Sequence, residues 1–317
     1  MQTLATRSAA RPATAPPPPG YSRSRARRRL RQLTGLGYAA PTAAVVGLFF
    51  LVPLGLVAWM SLHHWPLLGP ATFNAPQNYS RIADNTLIGQ AAWFTVKYTV
   101  VTTVLLFAVS FGLALAVQHS RPGAGLLRTA FLLPTAVGFA TASLLFLGLL
   151  SNAIGPVNPL LHTLGLISRP IDWITGSPTT ALSSTVTLVI WRFAGFNMLI
   201  LLTGLQAIPT ELYEAARIDG ANRRQILRRI TVPLMRPTIA LVLIMMITGS
   251  VLAFDQFYIL TKGGPDNSTA SVVLVIVREA FVRFDLGSAA ALSVVVLAVL
   301  VLLNVVQLSL LRRRDDR

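Results

Sequence analysis

Residues 214–233 read EAARIDGANRRQILRRITVP and lie between two long apolar stretches, at about 181–206 and 237–259. Each flanking stretch is long enough to cross a hydrocarbon core of about 30 Å, which takes roughly 20 residues of helix. The residues between them are mostly small or basic, and charged side chains are costly inside lipid. We therefore predict a polar loop that connects two membrane-spanning segments.

Within this loop, the residue pattern predicts two short helices around a turn. Thr210 is expected to cap the first helix, with Glu211 in its opening turn. Gly220 is expected to end that helix in a positive-φ conformation. Asn222, followed three residues later by Gln225, predicts a capping box at the start of the second helix.

Two prolines predict where the second helix of the loop stops. Proline has no backbone N–H group and its ring collides with the preceding turn, so it interrupts a helix but suits a helix start. Pro233 and Pro237 are therefore expected to break the helix and to begin the next span. The whole loop is predicted to run over 207–236.

The composition places the chain in a bilayer. Of its 317 residues, 53% are hydrophobic and 12% are charged, a balance that a soluble domain could not keep off its surface. Six stretches are long and apolar enough to span a membrane, at approximately 38–61, 91–117, 129–150, 181–206, 237–259 and 287–311. Because they are continuously apolar and do not alternate as barrel strands do, all six are predicted to be helices.

The basic residues predict the orientation of the chain. They are concentrated before the first span, in the 207–236 loop and after the last span. The positive-inside rule then places both termini and this loop in the cytoplasm. The predicted organisation is a disordered basic tail at 1–37 that can touch anionic lipid, a six-helix transmembrane domain at 38–311 and a basic tail at 312–317. Nucleic acid binding is not expected, because no recognition module accompanies the charge.

The sequence offers little for metal or enzyme chemistry. There is no cysteine, and the four histidines have no carboxylate at ligand spacing, so neither a disulfide nor a metal site is expected. No G-x-x-x-x-G-K-[ST] run is present, so ATP and its Mg would have to be bound by another chain. An enzyme is not expected, because no nucleophile–base pair is evident.

The spacing of the loop resembles one family closely. In the permease subunits of binding-protein-dependent ABC importers, E-A-A is followed by three residues, G, nine residues, I, one residue and L-P. The matching residues are Glu214, Ala215, Ala216, Gly220, Ile230 and Pro233, and Val232 stands where Leu is usual. The resemblance implies the type I importer permease fold. It also implies that these residues, with Asp219, couple the chain to an ATPase subunit.

A second segment is similar to the carbohydrate-uptake branch of the same permeases, the maltose and glycerol-3-phosphate type. Residues 254–265 read FDQFYILTKGGP, against F-D-x-x-Y-x-L-T-x-G-G-P, and Lys262 stands where Gly is more usual. The resemblance implies a permease subunit of a sugar importer in the cell membrane. Its implied partners are a second homologous permease, a dimer of ATPase subunits and an extracytoplasmic solute-binding protein.

Charged residues inside the spans are the candidates for mechanism, because each is costly unless it is paired or hydrated. Arg192 lies on the order of 16 Å from the end of its span, near the midplane, and is expected to line the substrate pathway. Lys97 is expected either to snorkel or to pair with Asp255. The other pathway candidates are Trp191, Phe193, Phe196, Asn197, Asp255, Gln256 and Tyr258.

A rival hypothesis from another class is an ion-coupled secondary transporter that uses Arg192 and Asp255 as coupling charges. Such proteins usually carry more spans, arranged in inverted repeats, and none is evident here. For a permease, a neutral sugar is favoured over a phosphorylated one. Lys97 is displaced from the depth of Arg192 by about 7 Å, so no second cation helps to hold a dianion.

Overall fold

The computed structural model describes residues 38–66, 68–118 and 123–315, and it is mostly helical over those residues. The predicted tail at 1–37 lies outside the described residues. The predicted tail at 312–317 does so in part, because the last helix continues through its first residues.

Helices make up most of the described chain, and one short hairpin lies between the first two helices. The helices are α1 (Tyr38–Met60), α2 (Ala75–Asp84), α3 (Thr86–Val117), α4 (Ala124–Ala136), α5 (Phe139–Leu149), α6 (Val157–Thr163), α7 (Pro178–Gln206), α8 (Thr210–Ile218), α9 (Arg223–Leu234), α10 (Arg236–Val251), α11 (Val272–Phe281) and α12 (Leu286–Asp315). The strands β1 (His63–His64) and β2 (Thr72–Phe73) pair in antiparallel fashion. A π-helical turn at Phe257–Thr261 follows α10.

Among the described residues, the helices α1, α3, α7 and α12 are each long and apolar enough to cross a membrane. Two further pairs of helices, α4 with α5 and α9 with α10, meet the same test only when each pair is joined, because each helix alone is too short. The axis bends by 96° in the first pair and by 72° in the second. Counting each bent pair as one span gives up to six, which is the number that the sequence predicts. The chain divides into two units after Leu56, so most of α1 forms a unit of its own.

The third predicted span, at 129–150, is wrong as a single helix. The backbone of Val137 is extended, with φ −73° and ψ 130°, and so is that of Gly138, with φ −56° and ψ 144°. Two consecutive extended residues end α4 and allow α5 to start in a new direction. Pro134 lies in the last turn of α4, where a missing N–H group weakens the helix.

The fifth predicted span, at 237–259, is also wrong at its end. The helix α10 stops at Val251, and the chain then continues through the π-helical turn. Hydrogen bonds between residues distant in sequence hold this region instead, since the Ser271 hydroxyl donates to the backbone oxygen of Ala253 at 2.8 Å and the Thr95 hydroxyl accepts from the Val272 N–H at 3.1 Å. The apolar stretch is therefore longer than the helix that it forms.

The core of the second unit lies between α3, α7 and α10. Leu188, Met198 and Leu201 on α7 are fully buried there, together with Val242 on α10. A second cluster surrounds Tyr98 and packs the segment that follows α10 against α3. This packing thus fixes the positions of α3, α7, α10 and the segment after α10, which surround the cavity described next.

Candidate functional site

A cavity of about 290 Å³ lies between α3, α7, α10 and the segment that follows α10. Its aromatic lining residues are Phe139, Phe193, Phe196 and Phe254, and its polar ones are Tyr98, Asn197, Ser250, Asp255 and Gln256. Among the described residues that line it, Asp255 alone carries a formal charge. The walls therefore combine aromatic faces with a few hydrogen-bonding groups and one carboxylate.

Most of the predicted pathway residues meet at this cavity, but Trp191, Arg192 and Tyr258 do not line it. Phe193, Phe196, Asn197, Asp255 and Gln256 all line it. The exposed ring of Trp191 packs on that of Phe146, with 5.5 Å between the centroids. Tyr258 is 55% exposed and stacks on Phe254. Neither Trp191 nor Tyr258 belongs to the lining.

Arg192 contacts the break between α4 and α5. Its Nε donates to the backbone oxygen of Val137 at 3.0 Å, and the Thr135 hydroxyl donates to the backbone oxygen of Arg192 at 2.8 Å. Its guanidinium lies 4.6 Å from the ring centre of Phe193 and 5.1 Å from that of Phe139, two rings that line the cavity. Arg192 itself is not among the lining residues. Sequence reasoning missed its contact with the break because the break was not foreseen.

A glycine, Gly195, allows the backbone of α7 to lie against the backbone of α4. A Cβ atom on Gly195 would overlap the backbone carbonyl group of Phe131 and would stand 2.9 Å from the backbone nitrogen of Leu132. Only a residue without a side chain fits at this crossing. Gly195 therefore sets the distance at which Arg192 reaches Val137.

Two polar groups in the cavity wall are held by hydrogen bonds. Asn197 donates through Nδ2 to the backbone oxygen of Phe193 at 2.9 Å. Gln256 donates through Nε2 to the hydroxyl of Tyr98, also at 2.9 Å. Sequence reasoning missed Tyr98, although a tyrosine directly after Lys97 inside an apolar span was an available signal.

The structure separates the alternatives for Lys97. Its side chain is exposed and forms no ion pair with Asp255, so the structure favours snorkelling. Asp255 forms no ion pair with Arg192 either.

The segment that resembles sugar permeases forms a compact loop against α11. Arg278 donates to Asn267 Oδ1 and to the backbone oxygen of Lys262, both at 2.7 Å. Lys262 has φ +51°, in the left-handed region that favours glycine. This conformation explains why Gly suits the position at which this chain carries Lys.

The loop between α7 and α10 forms the two predicted short helices. Gly220 ends α8 with φ +75°, which confirms the predicted turn. The capping box is confirmed, because Asn222 and Gln225 exchange two hydrogen bonds of 2.8 and 2.9 Å. The predicted cap at Thr210 is wrong: Thr210 is the first helical residue, Pro209 precedes it and no side chain caps the helix.

The predicted helix break at Pro233 is wrong as well. The helix α9 runs through Pro233 to Leu234, because a π-helical turn at Leu227–Thr231 widens the backbone just before it. The break comes at Met235, with φ −82° and ψ −1°. Pro237 does lie in the first turn of α10, as predicted.

The residues of the E-A-A pattern differ in exposure. Glu214, Ala215, Asp219 and Gly220 are exposed, Ala216 is buried, and Ile230 and Pro233 are half-buried. Tyr213 and Thr231 connect α8 to α9 through their hydroxyls at 3.3 Å. Ile218, at the end of α8, is 86% exposed. Sequence reasoning missed Ile218, although an isolated large apolar residue in a polar loop was an available signal.

Comparison with known proteins identifies the family. Residues 108–316 match the binding-protein-dependent transport system inner membrane component family, and the chain belongs to this family. It is therefore a multi-pass membrane protein and a transport permease, a class that is not enzymatic.

Individual relatives cover most of the chain. The sulfoquinovosyl glycerol transport system permease protein SmoG of Agrobacterium fabrum is 32% identical over 278 residues, 87% of this chain and 89% of that protein. The trehalose/maltose transport system permease protein MalF of Thermococcus litoralis is 32% identical over 287 residues, 89% of this chain and 95% of that protein. A crystal structure of a bacterial alginate ABC transporter, in complex with a periplasmic protein that holds an alginate pentasaccharide, superposes with a TM-score of 0.80 at 21% identity. The match covers 90% of this chain and 96% of that one. The chain thus has the fold of ABC importer permeases.

Proposed function

We propose that this chain is the permease subunit of an ATP-driven sugar importer and that it forms the translocation pathway together with a second, homologous permease. The observation that carries the proposal is the cavity between α3, α7 and α10. Aromatic faces pack on the C–H faces of sugars, and a few hydrogen-bonding groups orient the hydroxyls. The names of relatives that transport glycosides and disaccharides support the same substrate class.

A neutral sugar suits the cavity better than an anionic one. The single charged residue in the lining is the carboxylate of Asp255, which repels an anion. Arg192 lies outside the lining, and its Nε is already engaged with Val137. An anionic solute would therefore meet a like charge without an opposite one in the wall.

The loop from α8 to α9 is proposed to dock on the ATPase dimer, which would bind ATP and Mg. The exposed side chain of Ile218 supports this role, because a large apolar residue on a polar loop gains free energy when a partner covers it. Closure of the ATPases on ATP would move this loop and open the cavity outward, and hydrolysis would reverse the movement. An extracytoplasmic solute-binding protein would deliver the sugar from the other side.

The proposed orientation has both termini and the α8–α9 loop in the cytoplasm. The distribution of arginine along the chain supports it. A reporter fused after Arg317 is expected to be cytoplasmic, and one inserted near Gly69 is expected to be extracytoplasmic. Two reporters on the same side would refute this orientation.

Reconstitution tests the transport proposal. The chain is incorporated into liposomes with its second permease, ATPase and binding protein, and uptake of labelled maltose, trehalose and lactose is compared with that of a sugar phosphate. ATP-dependent uptake of a neutral sugar is expected. Uptake that follows an ion gradient without the ATPase would instead support the secondary transporter, with Arg192 and Asp255 as its coupling charges.

A pair of substitutions tests the docking surface. Ile218→Asp is expected to abolish copurification of the ATPase subunit. Ile154→Asp is the matched control, since Ile154 is 83% exposed in the loop after α5 and lies outside the α8–α9 loop. Equal ATPase recovery with both variants would argue against docking through Ile218.

A further inference from the structure

Tyr98 and Gln256 form a buried polar pair in the wall of the cavity. Gln256 Nε2 donates to the phenolic oxygen of Tyr98 at 2.9 Å, and each residue is only 1% exposed. Tyr98 comes from α3 and Gln256 from the segment after α10, and both line the cavity. The pair therefore stands where two separate elements meet at the candidate pathway.

The pair has hydrogen-bonding capacity that the described protein leaves unused. Gln256 Oε1 is buried and has no hydrogen-bond partner among the described residues. The oxygen of Tyr98 accepts from Gln256, so its own proton remains available to donate. The hydroxyl of Thr102, one helical turn further along α3, likewise has no hydrogen-bond partner among the described residues. A buried unpaired acceptor is unfavourable, so such a group favours a partner that supplies a proton.

Packing and the hydrogen bond hold both members of the pair in place. The ring of Tyr98 meets the edge of Phe257 with 4.9 Å between centroids and stacks near Phe94 at 6.2 Å. The amide of Gln256 is anchored through Nε2 to the phenol, which leaves Oε1 as its free hydrogen-bonding atom. The packed phenol thus fixes the position of the pair, and the hydrogen bond fixes the amide beside it.

We propose that Tyr98 and Gln256 form a subsite that binds one hydroxyl of the transported solute. The solute O–H donates to Gln256 Oε1, and its oxygen accepts the proton of Tyr98. An alcohol meets both requirements at once, whereas an ionised carboxylate or phosphate oxygen has no proton to give to Gln256. The inference rests on the proposed sugar permease function and adds to it a pair that selects for a neutral hydroxyl.

Removal of one hydroxyl tests the subsite. Tyr98→Phe keeps the ring and its packing but removes the donor. Tyr258→Phe is the matched control, because it deletes the same atom from an exposed ring outside the cavity lining. Uptake is measured in liposomes that hold the complete complex, with whichever of maltose, trehalose and lactose the wild type transports and with the monodeoxy derivatives of that sugar.

Tyr98→Phe is expected to weaken the apparent affinity for the parent sugar by about 2- to 12-fold, the range for a neutral hydrogen bond. It should leave the affinity for one monodeoxy derivative unchanged and the maximal rate near that of the wild type. Tyr258→Phe should change neither quantity. An equal loss with every derivative, or a loss of maximal rate alone, would overturn the subsite and leave a pair that only holds α3 to the next segment.

A second variant keeps the test decisive. Gln256→Met removes both polar atoms at similar length, and combined with Tyr98→Phe it should weaken affinity less than the sum of the two single effects. Additive effects would contradict a shared hydroxyl. If Gln256→Met does not assemble, Tyr98→Phe decides alone. If the wild type transports none of the three sugars, the proposed function itself fails. If the wild type transports a sugar normally and Tyr98→Phe leaves that uptake unaltered, only the subsite fails.

Discussion

Arg192 donates a hydrogen bond through Nε to the backbone oxygen of Val137, with 3.0 Å between the two atoms. Val137 is the residue at which α4 ends, so the bond joins α7 to the break in the bent span. A cation at the carbonyl end of a helix also interacts favourably with the helix dipole. Arg192 is thus bound to backbone at the same place where it stacks on two rings of the cavity wall.

Substitution of Arg192 is expected to destabilise the chain. Arg192→Met removes a charge-assisted hydrogen bond and a cation–π contact, which together contribute about 2–4 kcal/mol. Uptake of neutral and anionic solutes should fall alike. Thr135→Val removes only the bond to the backbone oxygen of Arg192 and should cost about 1 kcal/mol. The measurement is thermal unfolding of the purified complex, followed by uptake. An unchanged melting temperature with a loss confined to anionic solutes would show that Arg192 binds solute.

Gly195→Ala is expected to force α4 and α7 apart. The new methyl group would collide with the backbone of Phe131, and overpacking of this kind costs about 1–3 kcal/mol. Gly148→Ala on α5 is the control, because a Cβ there meets nothing within 4 Å. Thermal unfolding should separate the two variants, and a Gly195→Ala protein as stable as the control would disprove the close crossing.

Gly220→Val is expected to uncouple ATP hydrolysis from transport while the chain still inserts into the membrane. A β-branched residue at φ +75° costs about 1–2 kcal/mol and distorts the turn between α8 and α9. Gly220→Asn should retain most activity, since Asn tolerates this conformation. Stimulated ATPase activity and uptake of the reconstituted complex are compared. Full coupling in the Val variant would remove the role assigned to the turn.

Asp172 is expected to hold the loop before α7 at all but strongly acidic pH. Hydrogen bonds from the hydroxyl and backbone N–H of Thr175, and from the N–H of Ile174, lower the pKa of its carboxyl below the usual 3.8. A lowered pKa stabilises the folded loop above that value, and the contribution is lost as the pH falls through the folded-state pKa. In Asp172→Ala, which removes both acceptor oxygens, amide hydrogen exchange at Thr175 should be faster at neutral pH. Equal exchange in both proteins would show that these bonds do not hold the loop.

The sequence predicted the elements that depend on local chemistry. The positive-φ turn at Gly220 and the capping box of Asn222 and Gln225 follow from a few adjacent residues, and both are confirmed. The break at Val137 was missed, because hydropathy scores an apolar residue alike whether its backbone is helical or extended, and Pro134 was the signal that could have indicated it. The environment of Arg192 was hidden for the same reason, since its partner is a backbone oxygen 55 residues away.

A span whose axis bends by 96° cannot transmit a displacement along a single straight line. A displacement along the axis of α4 would reach α5 as a rotation about the bend. The contacts of α4 with neighbouring helices would then determine the size of that rotation. Those contacts are the backbone crossing at Gly195 and the bond from Arg192 to Val137. The contacts with α7 would therefore govern how far a displacement of α4 moves the ring of Phe139 in the cavity wall.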